Sequence, residues 1–189
     1  MGERERVKGA SFIRTCVLVE AMVARGQVSR EALVVQLSSD ALMLLDQKIE
    51  PSLWYPIRAV DELSRLLVDV DGECDPTYMR GLGVGTLETL LQRDTFRSFI
   101  EGAMRHGSEG ATLLQLAGLI YDFGGWQFEG DDLTDFRVIM IDAEPLPELA
   151  THTVAGFIEA LVAHCTGRAI RVEASRPEPD RVIWMAKLA

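Results

Sequence analysis

Apolar residues recur at three- and four-residue spacing from Phe12 to Ile120, and at Tyr121-Asp122-Phe123-Gly124-Gly125-Trp126 the period changes. Helical periodicity before that junction and strand patterning after it confine the chain to a mixed architecture. The helical part divides into segments. Phe12, Cys16, Val19 and Val23 form the stripe of a first helix that Gly26 stops, and Ser29 caps a second that Ser38-Ser39-Asp40 divides. Pro51 and Pro56 bracket Trp54-Tyr55 in extended geometry, and Pro56 opens a helix carrying Ile57, Val60, Leu63, Leu66, Leu67 and Val70. Asp75-Pro76 starts the next, with Met79, Leu82, Leu87 and Leu90 on one face and three glycines in its middle. Two further helices run through Phe96, Phe99, Ile100 and Met104 to His106-Gly107, and through Leu113, Leu116, Ala117 and Ile120.

Beyond the junction, Trp126 and Phe128, then Phe136 to Ile141, read as two strands joined by the acidic turn Gly130-Asp131-Asp132. Pro145 and Pro147 introduce a long helix with Val154, Phe157, Ile158, Leu161, Val162 and Cys165 on its core stripe, ended by Gly167. Arg168 to Glu173 and Arg181 to Met185 supply the last two strands, with a polar loop from Ser175 to Asp180. The expected fold is α+β, a helical N-terminal half packed on a small antiparallel sheet of about four strands with one long C-terminal helix. Residues 1–189 read as a single domain. Residues 1–8, in which Arg4, Arg6 and Lys8 alternate with Glu3 and Glu5, read as a solvated, flexible tail.

At 189 residues and 48% hydrophobic content the chain can bury a core without staples. A formal net charge of -10 argues against nucleic acid and anionic membranes as partners. Cys16, Cys74 and Cys165 are too scattered for a zinc knuckle or a disulfide framework, and no apolar run reaches the ~20 residues that span a bilayer. A soluble cytoplasmic protein is expected.

No motif assembles a catalytic set. Gly81-Leu82-Gly83-Val84-Gly85 lies in a helical pattern with no Walker lysine, so it reads as close helix packing and not as a phosphate loop. His106, His152 and His164 are not spaced as metal ligands. Glu129, Asp131, Asp132 and Asp135 lack the pattern of a calcium loop, and no Gly-x-Ser-x-Gly elbow occurs. The aromatic positions carry more. Trp54, Tyr55, Phe96, Phe99, Tyr121, Phe123 and Trp126 stand at element ends, where a ring lines a cavity or simply packs the core, and His106 follows two of them on one helix. These eight residues are the candidate ligand-binding set; no catalytic or metal-binding residue is assigned.

Val7-Lys8-Gly9-Ala10-Ser11-Phe12, Trp54-Tyr55-Pro56 and Tyr121-Asp122-Phe123-Gly124-Gly125-Trp126 together resemble a paralogous family of proteins abundant in myxobacteria. That family is similar to the ligand-binding superfamily of 4-vinyl-reductase-type sensory domains, heme nitric-oxide-binding domains and Golgi transport subunits of the Bet3 type. The resemblance implies a helical half, a sheet with one long helix, an internal cavity and dimerisation. Two departures limit it. The zinc-binding cysteine pair of the sensory relatives is absent from Ala174 to Asp180, and the Tyr-x-Ser-x-Arg motif of the heme-binding relatives is not found. No cofactor is therefore expected, zinc and heme included. The resulting expectation is a non-enzymatic regulatory or sensory module for a small apolar or aromatic ligand, a protein partner or homodimer, or both. The rivals are an enzyme on a small hydrophobic substrate, using Tyr121, His106 or Asp122 as acid or base, and an assembly subunit with a self-filled cavity.

Overall fold

A computed structural model describes residues 5–106, 109–130, 133 and 135–189. The first surprise lies at the start of the chain. Arg6–Lys8, expected to be part of a tail, form strand β1, which pairs antiparallel with β2, Trp54–Pro56, so that Val7 faces Tyr55 and Lys8 faces Trp54. Val7 is buried, which supplies the reason: an apolar residue flanked by two basic ones fits a strand with one covered face.

The helices follow in order: α1 (Ile13–Ala24), α2 (Arg30–Gln36), α3 (Ser39–Asp46), α4 (Ile57–Val70), α5 (Met79–Leu91), α6 (Asp94–His106) and α7 (Glu109–Ile120). The Ser38 hydroxyl accepts from the Ala41 amide at 3.2 Å after an extended Leu37, so the serine pair does break the second helix into α2 and α3. Ser29 caps α2 in the same way through the Ala32 amide at 3.1 Å.

Strands β3 (Gly125–Gly130), β4 (Asp135–Ile141), β5 (Ile170–Glu178) and β6 (Arg181–Leu188) form an antiparallel sheet in the order β3-β4-β6-β5. The acidic turn at Asp131 and Asp132 lies outside the described residues. The inner face carries Phe136, Val138, Met140, Val172, Val182, Trp184 and Ala186, all buried, against α8 (Glu148–Thr166), which Gly167 ends in a left-handed conformation. The last two strands are longer than their patterning predicts. The expected loop from Ser175 continues β5 to Glu178, with Pro177 inside a register shift on an edge strand where a missing N–H costs nothing.

Helix α5 lies directly on α8. A Cβ at Gly83 would collide with the backbone of Thr153 and Phe157, and one at Gly156 with the backbone of Arg80. The glycines that weaken α5 as an isolated helix thus allow two helix backbones to touch. Beside this seam, the Arg80 guanidinium donates to Glu159 at 2.6 Å and to the Val172 carbonyl at 2.8 Å, while Glu159 accepts from the Val172 amide at 2.9 Å. Three elements, α5, α8 and β5, are tied at one point. No described helix is long and apolar enough to cross a membrane.

Candidate functional site

The site grows from the period change at Tyr121. The Tyr121 amide still donates to Ala117 in α7, but its backbone already bridges to Val7, and the next residue turns toward β1. Asp122 accepts from the Arg6 amide at 2.6 Å and from the Arg6 guanidinium at 2.5 Å, and its own amide donates to the Arg6 carbonyl at 3.2 Å. Gly124, at φ +73°, then turns the chain into β3, where a Cβ would collide with Met140.

This path gathers aromatic rings. Tyr121 stands between Phe123, edge-on at 5.7 Å, and Trp126, tilted at 5.7 Å, and Trp126 stacks on Trp184 with centroids 5.5 Å apart. The Trp184 indole donates to the Thr151 carbonyl at 2.9 Å. Trp126 Nε1 is buried with no partner in the structure.

Two small, partly open cavities meet at Tyr121. One, of about 30 Å³, is walled by Leu113, Ala117, Ile120, Val154, Phe157 and Ile158, with Ser11, Thr86, Tyr121, Trp126 and Thr153 as its polar members. The second, of about 40 Å³, lies toward α4 and adds Asp61, Ser64 and Thr15; Asp61 Oδ1 is buried without a partner there. Ser11, Tyr121 and Thr153 border both. Burial alone pushes the Tyr121 phenol above its ordinary range, with no charge or hydrogen bond acting against it. Thr86 is already engaged, donating to the Ser11 and Leu82 carbonyls at 3.0 Å.

Of the eight residues singled out from sequence, Tyr121 and Trp126 line a cavity, and Phe123 supports Tyr121 from outside it. Tyr55 packs edge-on against Phe12 at 5.3 Å and its hydroxyl accepts from the Glu50 amide at 2.9 Å, so it braces the β1–β2 ribbon. Trp54 is on the ribbon's outer side under the Lys8 ammonium, 3.9 Å from the ring centroid. Phe96 and Phe99 pack on the core from α6 and line neither cavity. His106 closes α6, and its side chain lies outside the described residues. Sequence reasoning assigned Val154, Phe157, Ile158, Leu113, Ala117 and Ile120 to core stripes; they are also the cavity wall, and periodicity cannot separate the two roles.

The arrangement is poorly equipped for acid–base chemistry. Asp122 is engaged by Arg6, the Tyr121 phenol is held protonated by burial, and Asp61, the one carboxylate lining either cavity among the described residues, is paired with Arg65 and has no histidine beside it in either lining. His152 lies on α8 with its Nδ1 buried and unpartnered, and desolvation, then the nearby Arg80 charge, lowers its pKa. No group of three metal-ligating side chains occurs among the described residues.

Several solved structures follow the same path in space. A Fe(II) unliganded H-NOX protein from K. algicida is 10% identical with a TM-score of 0.65, over 96% of each chain. A mutant of the T. tengcongensis H-NOX is 14% identical with a TM-score of 0.60, over 96% of this chain and 97% of that one. An oxygen-binding H-NOX domain related to soluble guanylate cyclases, solved as its oxygen complex, is 13% identical with a TM-score of 0.53, over 94% and 91%. The chain therefore has the fold of the heme nitric-oxide-binding domains. No protein-family model and no curated protein matches the sequence.

Heme, the group named with the H-NOX family, is larger than either cavity at Tyr121. Pockets for larger ligands run to roughly 300–1,000 Å³, whereas these two cavities are about 30 and 40 Å³. A larger open groove of about 420 Å³ lies between Glu144 and Pro179, but it offers no histidine, cysteine or tyrosine for iron, and Arg176 in it already donates to the Ala143, Leu146 and Pro179 carbonyls. Among the described residues, those that line these three spaces offer iron no histidine or cysteine, so the spaces do not fit the group.

Proposed function

We propose that this chain is a non-enzymatic, cytoplasmic sensory or regulatory module that binds a small apolar ligand without heme and passes its occupancy to a protein partner. The observation that carries the reading is the apolar cavity under Tyr121 and Trp126, set between the helical half and the sheet. Its place at that layer boundary means that filling it acts on α5, α7, α8 and β3 together. The likeness to an oxygen-binding domain supports small-molecule sensing as the role. In this reading Tyr121 and Trp126 touch the ligand and Phe123 supports them, while Trp54, Tyr55, Phe96 and Phe99 hold the surrounding frame. Native mass spectrometry of protein purified from its own host, joined to a thermal-stability screen of small neutral molecules, tests it. A retained small molecule, or a compound that raises the melting temperature in a saturable way, is expected; a bare chain that responds to none of them overturns the reading.

A partner-binding or homodimeric role has a separate support. Val34 and Val35 on α2 and Met43 on α3 are 60%, 87% and 51% exposed, more apolar surface than two short neighbouring helices need to show. Light scattering across a concentration series, with Val35→Lys as the control, reads whether this surface joins two copies.

A further inference from the structure

Strands β4 and β6 break the alternation expected of a sheet with one wet face. β4 runs Val138-Ile139-Met140-Ile141 and β6 runs Val182-Ile183-Trp184-Met185, apolar at every position, the pattern of strands covered on both sides. Val138, Met140, Val182 and Trp184 face the core, so Ile139, Ile141, Ile183 and Met185 point the other way. None of these four belongs to the core cluster. Ile139 is shielded by its neighbours and floors the patch, while Ile141, 37% exposed, and the half-buried Ile183 and Met185 supply its accessible surface.

The register fixes the shape of this patch. Ile141 pairs with Arg181, Ile139 with Ile183 and Arg137 with Met185, so the apolar residues form a diagonal stripe and two arginines fill the opposite corners of the same block. From the strand rise and spacing the stripe is about 14 Å long. The carboxylates Glu129, Glu173 and Glu178 stand outside the block, on the flanking strands. Arg137 reaches Glu129 only at 3.8 Å, and the Arg181 guanidinium has no hydrogen bond or ion pair among the described residues. A chain of net charge -10 thus carries a locally basic face with an apolar centre.

We infer that this outer face of the sheet docks an amphipathic helix of another protein, apolar along one stripe and carrying carboxylates on both flanks. A narrow stripe of that length matches about two and a half turns of helix, whereas a second sheet would need a broad apolar face. Arg137 and Arg181 lie on opposite sides of the stripe, so acids flanking the helix meet both, and a basic helix would set its charges against them. The same face of a second copy offers arginines and no carboxylate within its block, so it does not complement this one. The inference rests on the protein-partner part of the reading above, gives that partner a place and a charge, and does not involve the cavities.

The test uses two capped peptides of about 16 residues built on one leucine stripe, one with glutamates and one with lysines on its flanks, and follows the nitrogen-15 amide shifts of the full chain. Overall charge alone favours the lysine peptide, so the local surface is set against the sign of the whole. The glutamate peptide is expected to bind roughly three- to tenfold more tightly than the lysine peptide, with saturating shifts gathered at Ile139, Ile141, Ile183 and Met185. Arg181→Glu, a change at an exposed side chain, is expected to remove that preference. Should the variant fail to fold, the two peptides on the unaltered chain still decide. Equal affinity, a preference for the lysine peptide, shifts gathered elsewhere or no binding of either peptide overturns the inference. A dimer of the chain alone whose contacts fall on these same amides overturns it too, because a second copy is then the occupant. Each of these failures leaves the ligand-binding reading standing, since mass spectrometry and the thermal screen decide that separately.

Discussion

Trp126 and Trp184 stack with their planes 17° apart, but only Trp184 completes its hydrogen bond, to the Thr151 carbonyl at 2.9 Å. The two indoles therefore answer the same substitution differently. Trp184→Phe removes a fully buried ring edge and a bond that ties β6 to α8, and should cost about 2–3 kcal/mol in urea unfolding. Trp126→Phe removes a donor that has no partner, and about 1 kcal/mol or less is expected. Equal costs would mean that the Trp126 N–H is satisfied in solution.

The glycines of α5 divide sharply. Gly83→Ala drives a methyl into the backbone of α8, where no flexible side chain can give way, and should destabilise by about 3 kcal/mol or more. Gly81, two residues earlier, faces open space where a methyl would stand, so Gly81→Ala should stabilise by about 0.5–1 kcal/mol through helix propensity. Chemical denaturation of the two variants checks both signs.

Thiol reactivity should follow burial. Cys16 is buried in α1, and desolvation, helped by the Glu20 charge, pushes its thiol up to about 12, whereas Cys74 is exposed. A disulfide reagent at neutral pH should modify Cys74 quickly, a phase that Cys74→Ser removes, and reach Cys16 only after denaturant is added. Rapid modification of Cys16 in the native protein would contradict the packing of α1.

His152 sets a pH dependence whose sign follows from its lowered pKa. Desolvation first and the Arg80 charge second disfavour its protonated form in the fold, while the unfolded chain protonates near the ordinary value of 6.5. The unfolded state then binds more protons as pH falls below that value, so the fold loses stability there and the loss levels off once the folded state protonates too. Urea unfolding at pH 7.5 and pH 5 should show the unaltered chain losing more stability than His152→Gln. Parallel losses would show that His152 is protonated equally easily in both states.

Most of the helical half was legible because each helix buries one stripe and is bounded by a residue with a physical stop or start, such as Ser29, Ser38 or Asp75. The β1–β2 ribbon was not. Three-residue strands have no period to read, and their pairing joins Val7 to Tyr55 across many intervening positions. The extension of β5 through Arg176-Pro177 was hidden because proline reads as a loop, and only the edge position and the register shift make it compatible with a strand. At the site, Tyr121 and Trp126 could be picked out as rings at a junction. Trp184 could not, since an inward residue of an alternating strand reads as core, and whether an indole N–H has an acceptor depends on a helix carbonyl far away in sequence. Asp61, Ser64, Thr86 and Thr153 carried no signal either: single polar residues on helical stripes look like solvent-facing positions until the neighbouring element is in place.

Strand β1 holds the cavity from outside. Val7 bridges the backbone of Tyr121, and Arg6 grips Asp122 through both backbone and side chain, so the residue that divides the two cavities is anchored to the first strand of the chain. A displacement of β1 reaches the Tyr121 backbone through the Val7 bridge and through the three Arg6–Asp122 hydrogen bonds at the next residue. By the reciprocity of linked equilibria, whatever fills the space beside that ring changes how firmly β1 is held. The strand is a tether that works in both directions.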